Sequence, residues 1–178
     1  MQNCLSPRPR GAIAQEFRPV GRFTIQHIRD GKVIGEFAVP NGIVDVGLNH
    51  VLEDHFHAGT QITTWYIGLI DNAGFTALAA ADTMSSHAGW AENTNYSNGT
   101  RPQWSCGAAS GRQITNAVTV DFNMNADGLT IKGLFVCGGT GASTKGASTG
   151  TLWATAAFGS NVALNNGDTL KVTYTVTG

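Results

Sequence analysis

The stretch VTVDFNMNADGLTIKGLFV, residues 118–136, decides the fold class. Val118, Val120, Phe122 and Met124 alternate with Thr119, Asp121 and Asn123, which is the period of two that a strand with one buried face requires. Asp127-Gly128 supplies a tight turn, and Thr130 to Val136 returns as the partner strand. The same grammar recurs at the C-terminus. Leu152 to Phe158 makes a strand, Asn165-Asn166-Gly167 turns, and Leu170, Val172, Tyr174 and Val176 alternate with Lys171, Thr173 and Thr175.

Working back towards the N-terminus, Phe23, Ile25 and His27 alternate with polar residues. Asp30-Gly31 turns, Val33-Ile34 through Val39 return, and Pro40-Asn41-Gly42 end the strand. From Val44 the period becomes helical: Val44, Leu48, Val51, Leu52 and Phe56 share one face, and Gly59 ends the helix. Residues 62–70 (ITTWYIGLI) are apolar on both faces, as a central strand should be. Residues 77–87 fit a short helix, and 88–113 form an irregular excursion carrying Trp90, Tyr96 and Trp104. Several strands with little helix between them predict an all-β domain, a jelly-roll-like β-sandwich with one amphipathic helix. The expected core is Ile25, Leu48, Leu52, Trp65, Ile67, Val120, Phe122, Phe135, Val172 and Tyr174.

Residues 1–22 differ in kind. Pro7, Pro9 and Pro19 stiffen the backbone, while Arg8, Arg10, Arg18 and Arg22 face a single acid, Glu16. This predicts an extended N-terminal arm, with residues 23–178 as the β-sandwich domain. Leu5, Ile13 and Phe17 are its apolar anchors.

Composition narrows the function. The chain has 178 residues, enough to bury roughly 70% of its unfolded surface in one core without a metal or disulfide. Charged residues are 13% and the net charge is −1, so bulk electrostatics give no pull towards nucleic acid or an anionic membrane. Cys4, Cys106 and Cys137 are odd in number and widely spaced, which argues against a disulfide framework or a cysteine zinc site. The opening MQNCLSPRPR has no apolar run behind its charges, so the expectation is a soluble protein made in a reducing cytoplasm.

Three constellations invite chemistry, and each has a simpler reading. His50, Asp54 and His57 fall on one helical face, but that face lies opposite Leu48, Val51, Leu52 and Phe56, where an amphipathic helix needs polar residues. Asp82, Ser85, Ser86 and His87 contain the residue types of a hydrolytic triad without a nucleophile elbow. Gly138 to Gly150 (GGTGASTKGASTG) has Lys145-Gly146 in the wrong order for a phosphate loop, and a strand follows it. A mobile connection that meets a partner subunit is expected there. Trp65, Trp90, Trp104, Trp153 and Tyr96 suit either packing or a carbohydrate platform, and packing is preferred. The sequons Asn95-Tyr96-Ser97 and Asn98-Gly99-Thr100 carry no meaning without secretion. No enzyme activity and no cofactor or metal are expected.

The segments NGIVDVGLNHVLEDHF (41–56), WYIGLID (65–71), AADTMSSHAGWAE (80–92), YSNGTRPQW (96–104), GTLWATAAF (150–158) and GDTLKVTYTV (167–176) together resemble a group of small virion-associated proteins of tailed bacteriophages. The resemblance spans residues 41–178 and leaves the arm and first hairpin outside it. It implies a structural protein of the virion, a capsid decoration or cement protein on the capsid surface. The alternative is a tail or head fibre component that contacts host surface glycans. The implied partners are the major capsid protein and further copies of the chain, with no direct contact to nucleic acid or membrane. On this reading the arm lies across an adjoining subunit. Arg8, Arg10, Phe17, Arg18, Trp90, Tyr96, Trp104 and Lys145 are then the candidate contact residues.

Overall fold

The computed structural model describes residues 18–178. The expectations placed on Leu5, Arg8, Arg10, Ile13 and Phe17 lie outside them. Eleven strands and one helix follow in the order β1 (Val20–Arg29), β2 (Lys32–Pro40), β3 (Gly42–Ile43), α1 (Asp45–Phe56), β4 (Trp65–Asp71), β5 (Glu92–Asn93), β6 (Gln103–Trp104), β7 (Gln113–Thr115), β8 (Val120–Asn123), β9 (Leu129–Gly138), β10 (Thr151–Leu164) and β11 (Thr169–Thr177). Strands β1, β2, β7, β8 and β11 form one antiparallel sheet, and β3, β4, β5, β6, β9 and β10 form the other. The chain changes sheet after β2, β6, β8 and β10, giving the expected all-β sandwich.

The alternating stretches behave as their period requires. In β1, Phe23 and Ile25 point inward opposite Tyr174 and Val172 of β11, with Thr24 exposed between them. The hairpin turn at Asp30-Gly31 has positive φ at both residues, 49° and 73°, which matches the right-handed twist of the strands it joins. β1 is already paired from Val20, so the sandwich begins three residues before the boundary expected at residue 23. Between the sheets, Phe23, Ile25, Ile67, Leu69, Val120, Phe122, Leu134, Val136, Val172 and Tyr174 form the principal core.

β9 is buried on both faces along most of its length. Phe135 and Cys137 point away from the principal core into a second apolar cluster with Val44, Ile70, Met84, Trp90, Ala142 and Leu152. Residues 72–91 and 139–150 therefore cover the outer face of the second sheet. Gly68 makes this possible: the Phe135 ring occupies the space a Cβ there would need.

Three expectations need correction. Residues 77–87 are not helical; they are a chain of turns closed by a bridge between Thr83 and Ser86. Asp82 holds them, accepting hydrogen bonds from the Ala79 amide and the Trp90 indole. Val118 lies outside β8 and is exposed. Leu48 and Leu52, assigned to the core, are 37% and 51% exposed.

Candidate interaction surface

The exposure of Leu48 and Leu52 follows from how α1 sits on the second sheet. Two backbone bonds pin its start: the Val44 amide donates to the Trp153 carbonyl at 3.1 Å, and the Asp45 amide to the Ala80 carbonyl at 2.8 Å. Gly47 then faces β10 so closely that a Cβ would lie 2.7 Å from the Trp153 carbonyl oxygen. Only a residue without a side chain allows this approach, so Gly47 chooses the inward face. At 100° per residue, Val44, His50, Val51 and Asp54 share that face with it. The His50 ring packs edge-on to Trp65 at 6.0 Å and its Nε2 lies 3.4 Å from the Asp54 carboxylate. The face expected to be solvated is thus half-buried. The leucine face turns outward, ending in Phe56 at 78% exposure.

This outward ridge runs Leu48, Leu52, Phe56 at successive turns, about 12 Å from end to end. Asp45 and Glu53 flank it, and no lysine or arginine occurs in the helix. The metal-capable residues of α1 and its C-cap His57 form two separate pairs rather than converging. His57 Nδ1 lies 2.6 Å from Glu53, while His50 pairs with Asp54. Among the described residues no three metal-capable side chains come together.

The excursion behaves in the opposite way. Trp90, Tyr96 and Trp104 are 4%, 0% and 7% exposed. These rings, which the sequence offers either to packing or to a contact or glycan platform, are part of the domain's own cores. Tyr96 meets Phe122 edge-on at 5.1 Å, Trp104 meets Tyr174 at 5.1 Å, and Trp90 stacks on His87 at 3.9 Å. His87 and Asp82 both serve Trp90, and Ser85 shares a hydrogen bond with Thr83. The triad residue types therefore stabilise a loop.

What holds the excursion inside is Arg101, which the sequence reading did not single out. Its guanidinium is 1% exposed and makes a bidentate pair with Glu92, Nε to Oε1 at 2.9 Å and Nη2 to Oε2 at 2.7 Å. The remaining donors reach the carbonyls of Ala142 and Ala147, both at 2.8 Å. Glu92 also accepts the Gly146 amide. Burial pushes the neighbouring Cys137 thiol up to about 12, so it stays protonated. Glu92 and Arg101, two of the three charged residues in 88–113 of a charge-poor chain, were the signal available for this clamp.

The glycine-rich connection 139–150 is tied to the same point, contrary to the mobile loop expected. Lys145 lies 4.4 Å from the Tyr96 ring centre and donates to the Tyr96 carbonyl at 2.9 Å. Its charge is committed to the domain. Of the candidate contact residues within the described chain, Arg18 alone is exposed.

A second open feature lies where the two sheets end side by side. β2 is the outer strand of its sheet, and β10 pairs with β3 only at Ala154 and Thr155. Between them runs a groove of about 810 Å³, lined by Phe37, Val39 and Pro40 on one side and Ala157, Val162 and Ala163 on the other. Phe37 of its wall packs edge-on to Phe158, ring centres 5.0 Å apart.

No helix among the described residues is long and apolar enough to cross a membrane. Comparison of the chain with protein-family models and with curated proteins finds no match.

Proposed function

We propose that this protein is a structural component of a tailed-phage virion that binds the outside of the capsid and stabilises it. The observation that supports this most is the distribution of side chains on the sandwich. The large aromatics and the buried ion pairs hold the domain together, while the apolar ridge of α1 and an open pair of sheet edges face outward. Contact-making surface of this kind, neutral and low in charge, suits wide non-ionic interfaces between subunits. The resemblance of residues 41–178 to small virion-associated proteins points the same way. The major capsid protein and further copies of the chain are the partners on this reading.

Occupancy tests it. Purified protein added to expanded particles lacking it should bind at hundreds of copies per particle and raise the temperature at which they release their genome. A handful to dozens of copies, confined to one vertex or to the tail, would instead indicate a fibre component. No binding to particles at all would remove the virion reading.

A further inference from the structure

We infer that the Leu48–Leu52–Phe56 ridge is the seat of the N-terminal arm of a second copy of this chain. The inference rests on the reading of the arm as a bridge between subunits and names the surface it bridges to.

Three observations select this occupant. The first is chemical. The ridge is apolar with acidic flanks, Asp45 and Glu53, and the helix carries no basic residue other than histidine. Residues 1–18 offer the complement: Leu5, Ile13 and Phe17 with Arg8, Arg10 and Arg18 against one acid, Glu16. The second is spacing. Four residues of extended chain, Ile13 to Phe17, cover about 13 Å, against about 12 Å from Leu48 to Phe56 along the helix. Two apolar side chains of the arm can therefore bracket the ridge.

The third observation separates a neighbour's arm from the chain's own. The root of the arm lies beside the start of its own helix, since the Asn41 amide donates to the Gly21 carbonyl at 3.0 Å and α1 begins at Asp45. Arg18 precedes Pro19, which biases Arg18 to extended backbone, so a turn back onto that helix would have to be made by the residues before it. Residues 12–18, AIAQEFR, contain no glycine, proline, asparagine or aspartate to turn on. From Val20, extended chain reaches about 10 Å to Phe17 and about 23 Å to Ile13, so the ridge it meets belongs to a copy lying directly beside the start of β1.

The test is a mixing experiment with two variants, each checked for a native circular dichroism spectrum. One lacks residues 2–16, so it keeps the ridge and loses the arm. The other, Leu52→Glu with Phe56→Glu, keeps the arm and loses the ridge. In analytical ultracentrifugation the intact chain should self-associate, more weakly as salt rises, and the truncated chain should be monomeric. The ridge variant should also be monomeric by itself. Mixed, the two should form a heterodimer, because one still has an arm and the other still has a ridge. Failure of the mixture to associate, or self-association that survives both changes, overturns the inference. So does an intact chain that stays monomeric, the result expected if the arm covers its own helix. Particle occupancy is read separately. A chain that stays monomeric yet still binds capsids sinks this inference alone, whereas loss of capsid binding by the intact chain sinks the functional reading.

Discussion

The helix α1 and the excursion 88–113 are opposites in how they use apolar side chains. In α1 the regular, strongly patterned leucines lie outside. In the excursion, with no regular pattern at all, Trp90, Tyr96 and Trp104 lie inside. The difference teaches that periodicity reports the existence of an apolar face but not its direction. Direction is set by what the backbone can approach. α1 approaches β10 through Gly47, so the face that carries Gly47 wins the interior. The excursion has no face to choose; it is drawn in by a buried arginine whose donors satisfy one carboxylate and the carbonyls of the loop beside it.

The comparison can be broken from the excursion side. Arg101→Ala should be the most damaging single change, costing roughly 3–5 kcal/mol, because it strands the buried Glu92 carboxylate and frees the carbonyls of Ala142 and Ala147. Chemical denaturation reads the loss directly. A midpoint within error of the unmodified protein would mean that the clamp does not hold the excursion.

A smaller effect is expected at a site in neither region, which tells global from local loss. Asp168 accepts from Arg29, at 2.8 and 2.6 Å, and from the Asn165 amide, and lies 3.0 Å from the His27 ring. The hydrogen bonds from Arg29, ahead of the others, hold its carboxyl well below the usual carboxylate range. A lowered folded-state value means the stabilisation is fully present above the ordinary carboxylate value of about 4. It is lost as pH falls below that towards the folded-state value. Asp168→Asn should cost about 2 kcal/mol at neutral pH and flatten this acid limb of the stability profile. An unchanged acid limb would assign the pH dependence elsewhere.

On the helix side, Gly47→Val should cost about 1–3 kcal/mol by forcing α1 off Trp153. The change should raise Trp65 and Trp153 fluorescence quenching by iodide. If stability is unchanged, Gly47 does not set the helix's orientation.

The smallest effect sharpens the comparison most. Phe56→Ser and Leu52→Ser should each alter the stability of the monomer by no more than about 0.5 kcal/mol, since both side chains already face water. A loss of 2 kcal/mol or more, the signature of a core leucine, would place the ridge inside the molecule.

The amino-acid order by itself determined the strands and their turns. VTVDFNM and LKVTYTV alternate with period two and each abuts a turn, Asp127-Gly128 and Asn166-Gly167, so their phase, the inward set Val120, Phe122, Val172 and Tyr174, and the sandwich class were legible without coordinates. A strand has only two faces, and a sheet offers its apolar one to a partner sheet. The tertiary structure decided what lies beyond that rule. It added a second apolar cluster on the outer face of β9, because turns around Asp82 and the glycine-rich connection cover it. It turned His50 and Asp54 of α1 inward and the leucines outward, because one glycine allowed backbone contact with Trp153. It folded the excursion's aromatics into the two cores and spent Lys145 on the Tyr96 carbonyl. These outcomes depend on contacts between residues distant in sequence, such as Gly47 with Trp153 and Arg101 with Ala142, and no local period encodes which of two surfaces will meet.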